Sequence, residues 1–402
     1  MRVIGMDVHR AFAQVAVLEG TQIVEQKRVE LEHDTVVEFG RSLRPDDEVV
    51  LEATGNTTAI VRLLSPFVRR VVIANPGEVR AIAHARVKTD KVDAVILAKL
   101  HASGFLPEVW AADDDTIGRR RMASERAALV RSVGRLKSRI QSILHTNLIP
   151  RYAGALFTKG GRIWLEKVPL PKDEKAMLFR HIDEFDRLTA QLRDLDRQLA
   201  RRALDDPRAR KLMTIAGVNA IVATTVLASI GEIGRFESAQ KLASYFGLTP
   251  RIRQSGDRPA FHGHISRHGN AQARSMLVEA AWSASKAPGP LRSFFHRVRQ
   301  KRGNGIAAVA TARKIAVLVW HLLTKNEPYA YSRPAFIAMK MRKLELLAGA
   351  DRAHGKAGPG RDYWITELRH REMALVEQVE VAYTRMVEGW TSKPKQPVKQ
   401  PS

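Results

Sequence analysis

The chain contains no cysteine in 402 residues. Disulfides and thiolate zinc sites are therefore excluded. Acidic residues also run short. There are 42 Asp plus Glu against 66 Lys plus Arg, a formal charge of +24, with a pI near 10.6. Such an excess points to a polyanionic partner, nucleic acid first and anionic membrane second. No window of roughly 18 apolar residues is read, so no membrane span is expected. The first residues form a charged strand pattern rather than a signal peptide. Together with the lack of cysteine, this suits the cytoplasm.

Apolar residues make up 45% of the chain, and its length is enough for two or three domains with substantial cores. The charge is unevenly spread. Residues 1–110 hold 14 Lys/Arg and 15 Asp/Glu, whereas the remainder holds 52 and 27. The excess positive charge thus lies wholly beyond residue 110. Chemistry in a near-neutral, carboxylate-rich first domain and nucleic-acid grip in the rest would explain that split.

Residues 2–31 read as three strands, "RVIGMDV", "AFAQVAVLEG" and "TQIVEQKRVEL". A short helix follows in "HDTVVEFGRSL", then a strand in "DEVVLEATG" and a helix starting near Asn56 or Thr57. "VRRVVIANP" is a fifth strand and "PGEVRAIAHA" a helix with proline in its first turn. "TDKVDAVILAKLHASG" is a helix capped by Thr89 or Asp90 and stopped by Gly104. The order β-β-β-α-β-α-β-α-α predicts an α/β domain over 1–110, a mixed sheet of ribonuclease-H or RuvC-like type.

Residues 111–207 predict a helical linker. Leu129, Val133, Leu136, Ile140 and Ile143 recur at 4-3 spacing, as do Ile182, Phe185, Thr189, Leu192, Asp196 and Leu199. Both stretches read as long amphipathic helices, in an intramolecular bundle or a dimerising coiled-coil arm. Residues 208–330 form a third, mainly helical unit. "RKLMTIAGVNAIVATTVLASIG" resembles a helix-hairpin-helix, with Gly217 permitting the tight turn and freeing backbone N–H groups for phosphate. "LTPRIRQSGDRPAFHGHISRHGNAQAR" is a Gly-rich basic loop or hairpin. Residues 331–402 form a basic extension, and its end, "TSKPKQPVKQPS", has the composition of a disordered tail.

Asp7 is out of place at the end of the apolar run Val3-Ile4-Gly5-Met6. Aspartate is a poor strand residue and is rarely buried without a partner. Glu52 follows another apolar run, in "VVLEATG", and Asp90 and Asp93 in "KTDKVDA" lie one helical turn apart. First and fourth strands as neighbours, crossed by a helix, would gather all four. Crowded carboxylates require divalent cations. Two Mg²⁺ ions roughly 4 Å apart are a known solution for phosphodiester chemistry. Taken singly, the residues have plainer readings: Asp90 as a helix cap, Asp93 as a dipole partner, Glu52 paired with an arginine. Sugar-kinase and actin-like folds also begin with a strand and an aspartate, but their second phosphate loop, of Asp-x-Gly-Gly type, is not found.

"GMDVHR", "LEATGN", "ANPGEVRAIAHARVKTDKVDA" and "TIAGVNAIVATTVLASIGEIGRFESAQKLASYFGLTPRIRQSGDRPAFHGHISRHGN" occur in this order. Over residues 1–327 the chain resembles the DEDD transposases of the bacterial insertion-sequence family numbered one hundred and ten, the bridge-RNA-guided recombinases. The resemblance implies a Mg²⁺-binding set of Asp7, Glu52, Asp90 and Asp93. It implies Ser255, in "PRIRQSGD", as a nucleophile forming a covalent phosphoserine link to DNA. It further implies a noncoding bridge RNA that pairs with target and donor double-stranded DNA, and dimers that assemble into a tetramer near the nucleoid. One subunit's carboxylates would then meet another's serine.

By itself, Ser-Gly in a basic loop is most often a turn. Arg251, Arg253 and Arg258 nevertheless surround Ser255 with groups suited to a scissile phosphate. Ser266 reads as a helix cap or phosphate contact, and Arg267, His264 and His268 as nucleic-acid contacts. His262, His264 and His268 suit nucleic acid better than zinc. Two rival functions remain: a RuvC-like endonuclease using metal-activated water, and a non-catalytic nucleic-acid-binding protein.

Overall fold

Alternating and continuous apolar runs at the N-terminus become the strands β1 (Arg2–Val8), β2 (Phe12–Glu19) and β3 (Gln22–Glu30). The structure, a computed structural model, describes residues 2–82, 89–253, 261–266, 268–351 and 365–389. The chain divides into two compact units, Met1–Asp113 and Asp114–Ser402.

In the first unit, α1 (His33–Arg41), β4 (Glu48–Glu52), α2 (Thr57–Leu64), β5 (Arg70–Ala74), α3 (Pro76–Ile82) and α4 (Asp90–Ala102) follow in turn. A two-residue strand β6 (Glu108–Val109), not anticipated from the sequence, closes one edge. The sheet order is β3-β2-β1-β4-β5-β6. β1 pairs antiparallel with β2 and parallel with β4, and β4 pairs parallel with β5. The sheet is therefore mixed, with β1 and β4 as central strands.

Each face of the sheet carries its own core. Ile4, Met6, Val15, Val49 and Leu51 pack with Val36, Phe39, Ile60 and Leu64 of α1 and α2. Val3, Val50 and Val72 pack on the other face with Leu97 and Ala98 of α4. Side chains alternate along a strand, so the odd-numbered residues of β1 and the even-numbered residues of β4 point toward α4. Asp7 and Glu52 belong to those two sets.

The second unit is mainly helical: α5 (Asp114–Thr146), α6 (Lys159–Lys167), α7 (Lys172–Asp205), α8 (Pro207–Leu212), α9 (Ala220–Ile230) and α10 (Ala239–Tyr245). A hairpin of β7 (Pro250–Arg253) and β8 (Phe261–Ile265) follows, then α11 (Ala271–Ala284), α12 (Pro290–Lys325), α13 (Pro334–Ala348) and α14 (Thr366–Glu388). α5 and α7 pack on each other through Val133, Leu136, Phe185 and Leu188, and further along through Ile140, Ile143, Leu178 and Ile182. The buried face of α7 continues through Leu195 and Leu199. The seam thus runs through Leu188 and Leu195 rather than through Thr189 and Leu192. The expected polar defect Asp196 is paired with Arg126. The connector at 151–168 supplies α6, whose Leu165 fills the α5–α7 core.

α12 is long and apolar enough, by length and composition, to cross a bilayer. Arg313 and Lys314 interrupt it, so no uninterrupted apolar run of that length is present there. Its buried Ala312, Ile315, Ala316 and Val319 belong to the main core of the second unit, among α7, α9 and α11.

Candidate active site

The site is assembled at the C-terminal end of β1. The register pairs Gly5 with Val50 and Met6 with Leu51. One residue further, Asp7 and Glu52 end neighbouring parallel strands on the α4 face of the sheet.

Gly5 determines how close α4 can come. A Cβ there would lie 2.0 Å from the Ala94 carbonyl oxygen and 3.0 Å from the Ala98 nitrogen. Only glycine lets helix backbone rest directly on strand backbone at this point. At the far end of α4, the His101 Nε2 meets Glu48 Oε2, with both side chains nearly buried. At the near end, Thr89 caps the helix, its Oγ1 accepting from the Val92 amide at 3.4 Å. Asp90 and Asp93 occupy the first turn. The cap is thus Thr89, which leaves the Asp90 carboxylate available for the strand ends.

His9 joins the group. Its Nε2 is 3.2 Å from Asp7 Oδ2 and 3.2 Å from Asp90 Oδ2. That nitrogen is buried yet lacks hydrogen-bond geometry toward any partner. Asp7, His9 and Asp90 can offer ligand atoms that all lie within 4.8 Å of one another. The ring is steadied by Phe12, with centroids 4.7 Å apart, and the His9 carbonyl accepts from Asn56 Nδ2 at 3.3 Å. The Thr57 hydroxyl donates to the Glu52 carbonyl at 3.2 Å, fixing the end of β4.

Burial pushes the Asp7 carboxyl above its ordinary range; His9 opposes this, and Asp93 and Asp90 add to it. A carboxylate raised by burial and by two like charges is one that a cation would stabilise. Asp7, His9 and Asp90 thus converge, Asp93 acts on Asp7 through its charge, and Glu52 ends the neighbouring strand on the same face of the sheet. His9 is the member that sequence reasoning missed. Its signal was the two-residue spacing from Asp7, obscured because the chain turns between β1 and β2.

In the second unit, the β7–β8 hairpin pairs Pro250 with Ile265 and Arg253 with Phe261. It brackets residues 254–260. Ser255 and Arg258 lie outside the described residues, as do Arg267 and the side chains of Arg253 and His262. Arg251 is exposed and donates from Nη2 to the Ser266 carbonyl at 3.1 Å. His264 and His268 are exposed. The cap of α11 is Asn270, whose Oδ1 accepts from the Ala273 amide at 2.9 Å, so Ser266 does not serve as one.

Gly217 has φ +86°, in the turn between α8 and α9. A Cβ there would meet the Ala280 oxygen at 2.1 Å and the Ala284 nitrogen at 2.8 Å, both on α11. The turn needs glycine for its conformation and also for its packing, a second reason the sequence does not display.

Comparison with known proteins bears on both units. The description "Transposase IS116/IS110/IS902 family" matches residues 209–296, and a DEDD transposase description of the IS110 group matches residues 4–148. The chain carries the transposase domains of the IS116/IS110/IS902 family. A probable family 20 transposase of Pseudomonas aeruginosa is 27% identical over 346 residues, covering 81% of this chain and 98% of the relative. The transposase for insertion sequence element IS1111A of Coxiella burnetii is 24% identical, over 70% of this chain and 79% of its own. A pilin gene-inverting protein of Moraxella bovis is 26% identical, over 70% and 81%. As a transposase of this family, the protein is an enzyme of DNA cleavage and rejoining, and its DEDD domain goes with divalent-metal use.

Proposed function

We propose that the carboxylate corner of the first unit holds two Mg²⁺ ions and that the protein cuts and rejoins DNA under the guidance of a noncoding bridge RNA. One observation carries the metal site. The β1–β4 register and the contact at Gly5 bring the ends of β1 and β4 and the start of α4 to one end of the sheet, and Asp7, Glu52, Asp90 and Asp93 lie on those ends, which supports the reading. Asp7, Glu52, Asp90 and Asp93 are the ligands. Oxygen donors suit a hard divalent ion, and burial, with added repulsion from Asp93 and Asp90, raises the Asp7 pKa in a way a bound cation would offset. His9 stays beside Asp7 and Asp90 and orients them. When bound, the ions polarise the scissile phosphate and stabilise the charge that develops on it.

Ser255 is the nucleophile. Its oxygen bonds to phosphorus as the bond between that phosphorus and one sugar oxygen breaks. The serine loses its proton and the departing sugar oxygen gains one. Rejoining runs the same exchange in reverse with a new sugar hydroxyl, without net hydrolysis. Arg251, Arg253 and Arg258 neutralise the phosphate, while Gly217, His264, Arg267 and His268 contact the nucleic acid backbone. The net +25 beyond residue 110 supports binding of both DNA and RNA.

Incubation with labelled donor and target DNA, Mg²⁺ and RNA transcribed from the flanking noncoding sequence tests the reading. SDS-stable protein–DNA adducts are expected, absent in Ser255→Ala and in Asp7→Asn. Clean hydrolysis that persists in Ser255→Ala would instead mark a RuvC-like endonuclease. Tight RNA binding with no strand cut at all would mark a non-catalytic binding protein.

A further inference from the structure

The C-terminal extension sends one charged group deep into the second unit. Lys340, on α13, donates from Nζ to the carbonyl oxygens of Met213 at 2.8 Å, Ile215 at 3.2 Å and Val218 at 2.9 Å. An ammonium has three protons, and here three acceptors receive them. All three acceptors are backbone, spaced i, i+2 and i+5 through the α8–α9 turn. They converge because Gly217 takes φ +86° and folds the chain around a point. Phe336 lies alongside, its ring centroid 5.0 Å from Nζ. Burial, and secondarily Arg333, draws the Lys340 pKa down to about 8, so the ammonium remains the majority form at neutral pH.

Backbone carbonyl oxygens converging on one point are also how proteins replace the hydration shell of a monovalent metal ion. We infer that the Met213–Val218 turn is a monovalent-cation cradle whose resident cation is the Lys340 ammonium. The tether removes the need for a free ion. It also gives α13, which lies beyond the matched residues 209–296, a defined task. That task is to hold the hairpin shut in the shape that α11 packs against. That the hairpin also meets DNA rests on the function proposed above. The cradle does not, and it can be tested without DNA.

The test removes the ammonium and offers a free ion. Lys340→Met keeps the apolar stem beside Phe336 and empties the cradle. Thallium-205 NMR and thermal melts in KCl or tetramethylammonium chloride, at equal ionic strength, are run on the full chain. Wild type should bind no Tl⁺ and melt alike in both salts. Lys340→Met should bind Tl⁺, displaced by K⁺, and should melt about 2–4 °C higher in K⁺ than in tetramethylammonium. A variant that folds only in K⁺ supports the cradle still more directly. A variant that binds no Tl⁺ and ignores the salt, or that folds in neither, would overturn it. So would Tl⁺ binding by wild type at this turn, which would show that Lys340 does not fill the cradle.

Discussion

Gly5→Ala should disable the site without touching a ligand. The added methyl would lie 2.0 Å from the Ala94 carbonyl oxygen, in a region where carbon–oxygen contacts below about 3 Å do not persist. α4 must therefore lift from β1 by at least about 1 Å, because both partners are backbone and cannot rotate away. Such overpacking costs about 1–3 kcal/mol. A domain of ordinary stability, about 5–15 kcal/mol, survives that loss. The site does not. Asp90 and Asp93 ride on the first turn of α4, while Asp7 and Glu52 stay with the sheet. Misplacement of about 1 Å between catalytic groups costs on the order of 100-fold in rate. Gly5→Ala should therefore retain its circular dichroism spectrum, bind Mn²⁺ more weakly by calorimetry and cleave DNA about 100-fold more slowly. A folded Gly5→Ala protein with wild-type Mn²⁺ affinity and cleavage rate would refute the claim that α4 is positioned through this contact.

Other outcomes follow from the same structure. Asp7 has a raised folded pKa, so its ionised form weakens the metal-free fold, and that penalty is complete above the folded pKa. Asp7→Asn should accordingly melt higher than wild type at pH 7 in EDTA, yet gain less from added Mg²⁺; a lower melting point in EDTA would contradict this. Asp206 behaves in the opposite sense. Burial works to raise its pKa, but hydrogen bonds from Arg208 and Arg119 outweigh burial and draw it down to about 2. Its stabilising contribution is present above the unfolded pKa and is lost as pH falls through about 2. Asp206→Ala, which also removes the α8 cap, should cost about 3–5 kcal/mol in urea melts at pH 7 and make acid unfolding in this window less steep. His9→Ala should weaken Mn²⁺ binding, whereas Phe12→Leu should leave it nearly unchanged; equal affinity in His9→Ala and wild type would remove His9 from the site.

Much of the first unit was legible because its signals are local. Continuous apolar runs mark β1, β2 and β4, and a carboxylate at the end of such a run stands out in any reading of Asp7 or Glu52. What stayed hidden depends on contacts between distant elements. Gly5 reads as an ordinary glycine until α4 is laid across it, 89 to 93 residues further along the chain. His9 acquires meaning only once Asp90 is beside it. Lys340 is 122 to 127 residues from its carbonyl partners, and backbone acceptors leave no trace in sequence. The α7 seam was misread for another reason. The 4-3 spacing carries the seam through Thr189 and Asp196, whereas the buried positions there are the larger apolar residues Leu188 and Leu195, each one place earlier.

Four carboxylates from two strands and one helix holding metal ions can be probed by replacing Mg²⁺ with Fe²⁺ and generating hydroxyl radicals in place. Backbone cuts are expected in three separate segments, around Asp7, around Glu52 and around Asp90–Asp93. They should be suppressed by excess Mg²⁺ and absent in Asp7→Asn. Cuts confined to one of these segments, or a full pattern that survives in Asp7→Asn, would contradict the account.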